Sequence, residues 1–306
     1  MPAQRAKKEA SGPTAILEKL KHDKVRWVQL FYTDVFGGFN QVDVPAFTLD
    51  EDSFESGVPK LDGSSVRGFR EIYESDMNLL PDPSTLATIP WNPEAGGTVR
   101  FICDVRIGGS KESYAHDPRW VARKTEQVLA AAGYDCSYWG PEVEFFVFDS
   151  IELIPSPAGV RDAWGGAGYL VDHSESPWHG GPVTGTVRFK EGYHRTPPHD
   201  SLLPLRAEMC NILADDFHLT LDAHHHEVAT ASQSEINLRF DSSCRWPTTS
   251  RTFATSSGTW PHGTGRSVAS CRNRSTGTTG SACTPTSRSG RRGKPPSLTP
   301  TTRTPR

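Results

Sequence analysis

Four glutamates carry the chemistry that this sequence suggests. Glu142 and Glu144 stand two apart in "GPEVEFF", and Glu227 and Glu235 stand eight apart in "LDAHHHEVATASQSEINLRF". On a strand, residues two apart project from the same face. Like charges side by side on a sheet repel, so a folded chain must neutralise them. Carboxylates are the ligands that hard divalent cations such as Mg²⁺ and Mn²⁺ prefer. An E-x-E strand is often only a solvated face, but Phe145, Phe146 and Phe148 continue this one and argue for burial. The run "HHHE" alone reads equally as a surface cluster or an accidental metal scavenger. Four carboxylates converging would need cations to exist as a site, and a pair of metals points to phosphate chemistry.

The elements that must position these groups can be read around them. Residues 14–23 suggest a short helix, and "KVRWVQLFYTDVFGGFNQVDVP" a hairpin around "TDVFGG". "LDGSSVRGFREIYESDMNLLPDPST" reads as a Gly/Ser loop leading to short strands near Ala87–Pro90 and Val99–Ile107. After "IGGSKESYAHDP", a plausible domain boundary, Asp117 can cap a helix with Pro118 at its first position, ending at Gly133. "DCSYWGPEVEFFVFD" is expected to be one strand, residues 151–195 a long irregular loop, and "DSLLPLRAEMCNILADDF" an amphipathic helix. "LTLDAHHHEVATASQSEINLRFD", Leu219 to Asp241, is expected as strand, turn, strand.

Charge divides the chain sharply. Residues 1–243 carry a formal −14, whereas residues 244–306 carry +11 and no acid at all. Ser and Thr fill 25 of those last 63 positions, a composition that cannot bury enough apolar surface to offset its ordering entropy. The tail is expected to be disordered. "MPAQRAKKEASGP" lacks the apolar run of a signal peptide, and no window approaches the ~18 apolar residues of a membrane span. Cys103, Cys136 and Cys210 are widely spaced, as buried thiols of a reducing cytoplasm would be, while Cys244, Cys271 and Cys283 lie in the tail.

"YWGPEVEFFVFD" and "AHHHEVATASQSEINLRFD", with "YTDVFGG", "DGSSVRGFREIYESDM" and "GYHRTPPHDSLLPLRAEM", resemble in order the bacterial and archaeal class of glutamine synthetase, the glutamate–ammonia ligases. The resemblance covers roughly residues 14–242. It implies nitrogen metabolism: ATP-dependent joining of ammonia to glutamate through a γ-glutamyl phosphate, with two Mg²⁺ or Mn²⁺ ions, in a ring-shaped cytoplasmic homo-oligomer. Carried over by position, Glu144, Glu227 and Glu235 would hold the metal nearer glutamate and ammonia, and Glu142 the metal that bridges the ATP phosphates. Asp34 would take the proton from ammonium at a neighbouring subunit's site; taken alone it reads as a turn residue. Asp222 stands where the family often has a glutamate near the nucleotide, and Phe240 would line the adenine pocket. The implied fold is α+β: a β-grasp-like N-terminal domain over 14–109, then, over 110–243, an incomplete catalytic domain with an antiparallel, partly barrel-like sheet and flanking helices.

Beyond residue 243 the resemblance stops. The family's Asn-Gly-Ser-Gly-Met-His-x-His-x-Ser loop, its phosphate-binding arginines and its last metal glutamate have no counterpart there. Reading the third base of each codon with the first two of the next, however, lets Arg272 to Lys294 encode K-P-L-Y-G-D-N-G-x-G-M-H-A-H-Q-S-L-W-K-E-G-K. Residues 244–306 are therefore read as a frameshift product, and the chain as truncated and inactive on its own. Three other readings stay open: a same-fold γ-glutamyl ligase using a larger amine, as polyamine-handling relatives do; a non-catalytic metal-binding fragment; and a tail that binds nucleic acid through its positive charge.

Overall fold

The computed structural model describes residues 12–91, 97–140, 142–154, 168–173, 175, 187, 190–229, 232–242, 267–270 and 288–291. The N-terminal part is built on β1 (Trp27–Thr33), β2 (Phe39–Pro45), β3 (Val58–Asp62), β4 (Asp76–Pro81), β5 (Ala87–Thr88) and β6 (Thr98–Ile107). They form one sheet in the order β2-β1-β6-β4-β3, with β5 on β6. The β1–β6 pair is parallel and the others are antiparallel. Helix α1 (Pro13–His22) lays Ile16 and Leu20 into a core with Val28, Leu30, Leu79 and Phe101. Strand β4 falls where the sequence suggested only a loop, and β3 mostly where it suggested no element, because each is short and interrupted by proline or polar residues.

Helix α2 (Pro118–Ala131) begins at Asp117, whose carboxylate accepts the Arg119 N–H at 3.0 Å. The buried Arg119 guanidinium reaches back to the first sheet. It bonds Asp82 Oδ2 at 2.6 Å and the Ile102 carbonyl at 2.9 Å. The single strand expected over "DCSYWGPEVEFFVFD" is in fact two, β7 (Tyr134–Trp139) and β8 (Glu142–Phe148), and they join different sheets. The break falls between Trp139 and Glu142, where the sequence reads Gly-Pro and a proline has no N–H to give to a ladder. Nor is 151–195 wholly irregular: β9 (Ser150–Ile154) and β10 (Gly168–Asp172) pair as an antiparallel hairpin.

Helix α3 (Leu203–Asp215), β11 (Leu221–His226), β12 (Ser234–Leu238), β13 (Asp241–Ser242), β14 (Ser267–Ser270) and β15 (Arg288–Arg291) complete the described elements. The sheet β11-β12-β8-β14 is antiparallel and belongs to a curled half barrel, and β13-β7-β15 form a second antiparallel sheet. One face of β8 and β12 carries Phe145, Val147, Ile236 and Leu238 into a core against Leu202, Met209 and Leu213. Most of the tail expected to be disordered, including nearly all of Arg272 to Lys294, lies outside the described residues, but β14 and β15 fall within it. Cys103 and Cys210 are buried as expected; Cys136 is half-buried. Among the described residues no helix is long and apolar enough to cross a membrane.

Candidate functional site

The alternation that buries Phe145 and Ile236 on one face turns Glu142, Glu144, Glu235 and Asn237 to the other. In register, Glu144 pairs with Glu235 and Glu235 with His225; one step along, Glu142 pairs with Asn237. Glu227 follows the end of β11, and its backbone N–H donates to the Gln233 carbonyl at 2.7 Å, closing the β11–β12 connection. The sheet thus gathers all four expected glutamates. Glu144, Glu227 and Glu235 are buried, and Glu142 is exposed at the strand's start.

Among the described residues, the group whose ligand atoms come together is not the expected trio. Ligand atoms of His225, Glu227 and Glu235 lie within 4.8 Å of one another, and Glu144 stands beside them. Gln233 Nε2 donates to Glu144 Oε2 at 2.8 Å, and Asn237 Nδ2 to Glu235 Oε1 at 2.6 Å. Burial, then the charges of Glu235 and Glu227, push Glu144 up to about 7. Burial, then the contact with Glu227, push Glu235 up to about 7 as well. These neutral donors do not offset the crowding of negative charge. A divalent cation would, and a donor set of three buried carboxylates flanked by an imidazole suits one.

Behind this face sits a support that the sequence did not reveal. His226 is fully buried, with Nδ1 at 2.6 Å from the Glu227 carbonyl and Nε2 at 3.1 Å from Glu175 Oε2. Both ring nitrogens face acceptors, so the ring donates twice, as an imidazolium. Burial lowers the His226 pKa, but the Glu175 and Glu227 contacts outweigh it and raise the pKa overall. Burial likewise pushes Glu175 up, yet bonds from His226, Ser232 and Ser201 bring it down to about 2. The pair is a strut that fixes the backbone of Glu227. Glu175 lies in the stretch expected to be loop, and no periodicity marks it.

The loop before α3 closes over the same strand end. His194 N–H donates to the His226 carbonyl at 3.0 Å and Gly192 N–H to the Val228 carbonyl at 3.3 Å. Any side chain at Gly192 would collide with the Glu227 and Val228 carbonyl oxygens. Tyr193 stacks on His194 with ring centroids 3.9 Å apart, and His194 meets His225 edge-on at 4.5 Å.

The remaining expected residues lie elsewhere. Asp34 caps its own hairpin turn: Oδ1 accepts from Phe36 N at 2.9 Å and Gly38 N at 2.6 Å, and Oδ2 from Asn40 Nδ2 at 3.2 Å. Asp222 is exposed where the β11–β12 register shifts between Leu221 and Ala223. Phe240 is 60% exposed, edge-on to Tyr138 at 5.6 Å.

Comparison with known proteins gives two family matches. The glutamine synthetase β-grasp domain matches residues 24–107, and the glutamine synthetase catalytic domain matches residues 115–250. A glutamine synthetase of Sulfolobus acidocaldarius is 44% identical over 226 residues, covering 73% of this chain and 45% of its own. One of Aquifex aeolicus is 38% identical over 234 residues, covering 75% and 47%. The chain spans about half the length of the curated relatives it matches. Among solved structures, glutamine synthetase of Plasmodium falciparum superposes with a TM-score of 0.69 at 22% identity, over 85% of this chain and 50% of that one. A structure described as a GmaS/ADP complex superposes with a TM-score of 0.62 at 18% identity, over 83% and 50%. At these identities the superpositions establish the fold.

Proposed function

Because the chain belongs to the glutamine synthetase family, we propose that its glutamate face takes part in the ATP-dependent ligation of ammonia to L-glutamate. The observation that carries this reading is the register that sets Glu144 against Glu235, with both carboxylates and Glu227 buried and Glu227 within reach of Glu235. Glu144, Glu227 and Glu235 would hold one Mg²⁺ or Mn²⁺ ion, and Glu142 would contribute to a second. Such an ion, when bound, offsets charge on a γ-phosphate as a carboxylate attacks it.

The chain's own groups do the rest. Gln233 and Asn237 orient two of the carboxylates, and the His226–Glu175 strut keeps the backbone of Glu227 from shifting when charge at the site changes. Asp34, on a rigid hairpin tip, would accept the ammonium proton at a neighbouring subunit's site, so a homo-oligomer belongs to the proposal. Asp222 and Phe240, both exposed near one end of the sheet, would contact ATP. A division into units over 14–109 and 110–243, and a cytoplasmic setting, complete the reading.

The test measures phosphate release from ATP that depends on glutamate and ammonium. The protein for it is a chain whose segment after Asp241 is restored to the alternative frame. Activity that needs Mg²⁺ or Mn²⁺ and disappears in Glu235→Gln is expected. Activity that survives that substitution, or no glutamate dependence at all, would contradict the proposal.

A further inference from the structure

We propose that His225 is a nitrogen ligand of the cation held by Glu227 and Glu235, so that this site favours nitrogen-accepting ions such as Mn²⁺ and Co²⁺ over Mg²⁺. The inference rests on the metal-binding reading of the glutamate face and adds to it a donor of a different chemical class.

Three observations carry it. First, His225 is the direct cross-strand partner of Glu235, on the face that also holds Glu144. Second, its Nδ1 lies 3.1 Å from the His226 carbonyl oxygen. A carbonyl oxygen only accepts, so Nδ1 must carry the hydrogen, and in the neutral ring the lone pair sits on Nε2. Donation of the second ring N–H to a backbone carbonyl is the usual support of a metal-bound histidine, fixing tautomer and ring orientation together. Third, Nε2 is turned into the cluster. It stands 3.9 Å from Glu235 Oε2, beyond hydrogen-bond range, and a ring nitrogen of His225 lies within 4.8 Å of a Glu227 oxygen.

Bonds of about 2.1 Å place donors around one ion about 3 to 4.2 Å apart. The 3.9 Å separation from Glu235 already falls in that range, and the 4.8 Å limit on the whole set exceeds it by about 0.6 Å. His194 and Tyr193 wall the ring edge-on, at 4.5 and 5.4 Å between centroids, and resist its turning away. The neighbouring histidine differs in kind: both nitrogens of His226 are already committed to acceptors, so it supports and cannot ligate. Mg²⁺ keeps to oxygen donors, whereas imidazole suits later divalent ions.

Electron spin-echo spectroscopy of Mn²⁺ bound to the 306-residue chain reads a directly bonded nitrogen without requiring activity. The expected result is a ¹⁴N coupling that changes to ¹⁵N in protein made with ¹⁵N-histidine and is lost in His225→Gln. That variant should also bind Mn²⁺ about tenfold or more weakly, with a smaller loss for Mg²⁺. Saturable Mn²⁺ binding with no nitrogen coupling in the wild type would overturn the assignment of His225 while leaving the carboxylate site intact. The same holds for a coupling that persists in His225→Gln. No saturable Mn²⁺ binding in the wild type would overturn both. The isotope-labelled wild type decides the question even if the variant does not fold.

Discussion

At the scale of single residues, the crowded carboxylates set a pH response that a cation should erase. Glu144 and Glu235 stand at about 7, against 4.5 for an ordinary glutamate. Each holds its proton more tightly folded than unfolded. Their contribution to stability is therefore complete below pH 4.5 and is lost as pH rises through about 7. Melting temperature of the metal-free chain should fall across that window, and the Glu144→Gln/Glu235→Gln double variant should flatten the fall. Saturating Mn²⁺ should stabilise the wild type increasingly as pH rises, because ions compete with protons for the same oxygens. Gly192 supplies a second residue-scale prediction. A methyl group there meets the carbonyl oxygens of Glu227 and Val228, just past the end of β11, so Gly192→Ala should cost about 1–3 kcal/mol in chemical denaturation and weaken Mn²⁺ binding at the same time.

At the scale of elements, a buried ion pair ties α3 to the loop before it, and its arginine also bonds β12 beneath the site. Arg206 is bidentate to Asp200, with one N–H···O distance of 2.9 Å, and the same nitrogen reaches Ser234 Oγ at 3.2 Å, next to Glu235. Removing one partner leaves an uncompensated buried charge. Asp200→Ala should therefore cost about 3–5 kcal/mol, and Asp200→Ala with Arg206→Met much less; urea titrations of the three proteins would show it. Much at this level was legible in the sequence. The β1–β2 hairpin, the Asp117–Pro118 helix start, α3 and the β11–β12 pair each announce themselves by alternation, a cap or helical spacing. The E-x-E spacing sets Glu142 and Glu144 on one face, whereas Glu227 and Glu235 were singled out through the family resemblance. Strands β3 and β4 were not legible, since five or six residues with proline carry too little period. The Glu175–His226 strut was hidden for another reason: its members lie 51 positions apart, and nothing local couples them. His225 was visible only as one of three identical neighbours, whose separate roles depend on which carbonyl each ring faces.

At the scale of the whole molecule, the N-terminal sheet and the site-bearing part meet at Phe217. Its ring stacks on Trp91 with centroids 5.7 Å apart and lies 4.5 Å below the buried Arg100 guanidinium, beside Ala87 and Ile89. Phe217→Ala should cost about 3–5 kcal/mol and split a single melting transition in calorimetry into two, since Phe217 links the two parts. The basic segment after Asp241 is a matter for the gene: codons over 238–300 whose third bases permit the N-G-x-G-M-H-A-H reading are expected, and any others would remove the frameshift account. The central claim, that buried carboxylates from separate strands converge to bind a divalent cation, is tested most directly by counting free Mn²⁺ by electron paramagnetic resonance as the chain is titrated. The account predicts at least one saturable site in the wild type, lost in Glu227→Gln and in Glu235→Gln while circular dichroism is unchanged. Equal Mn²⁺ binding by the wild type and both variants would contradict it.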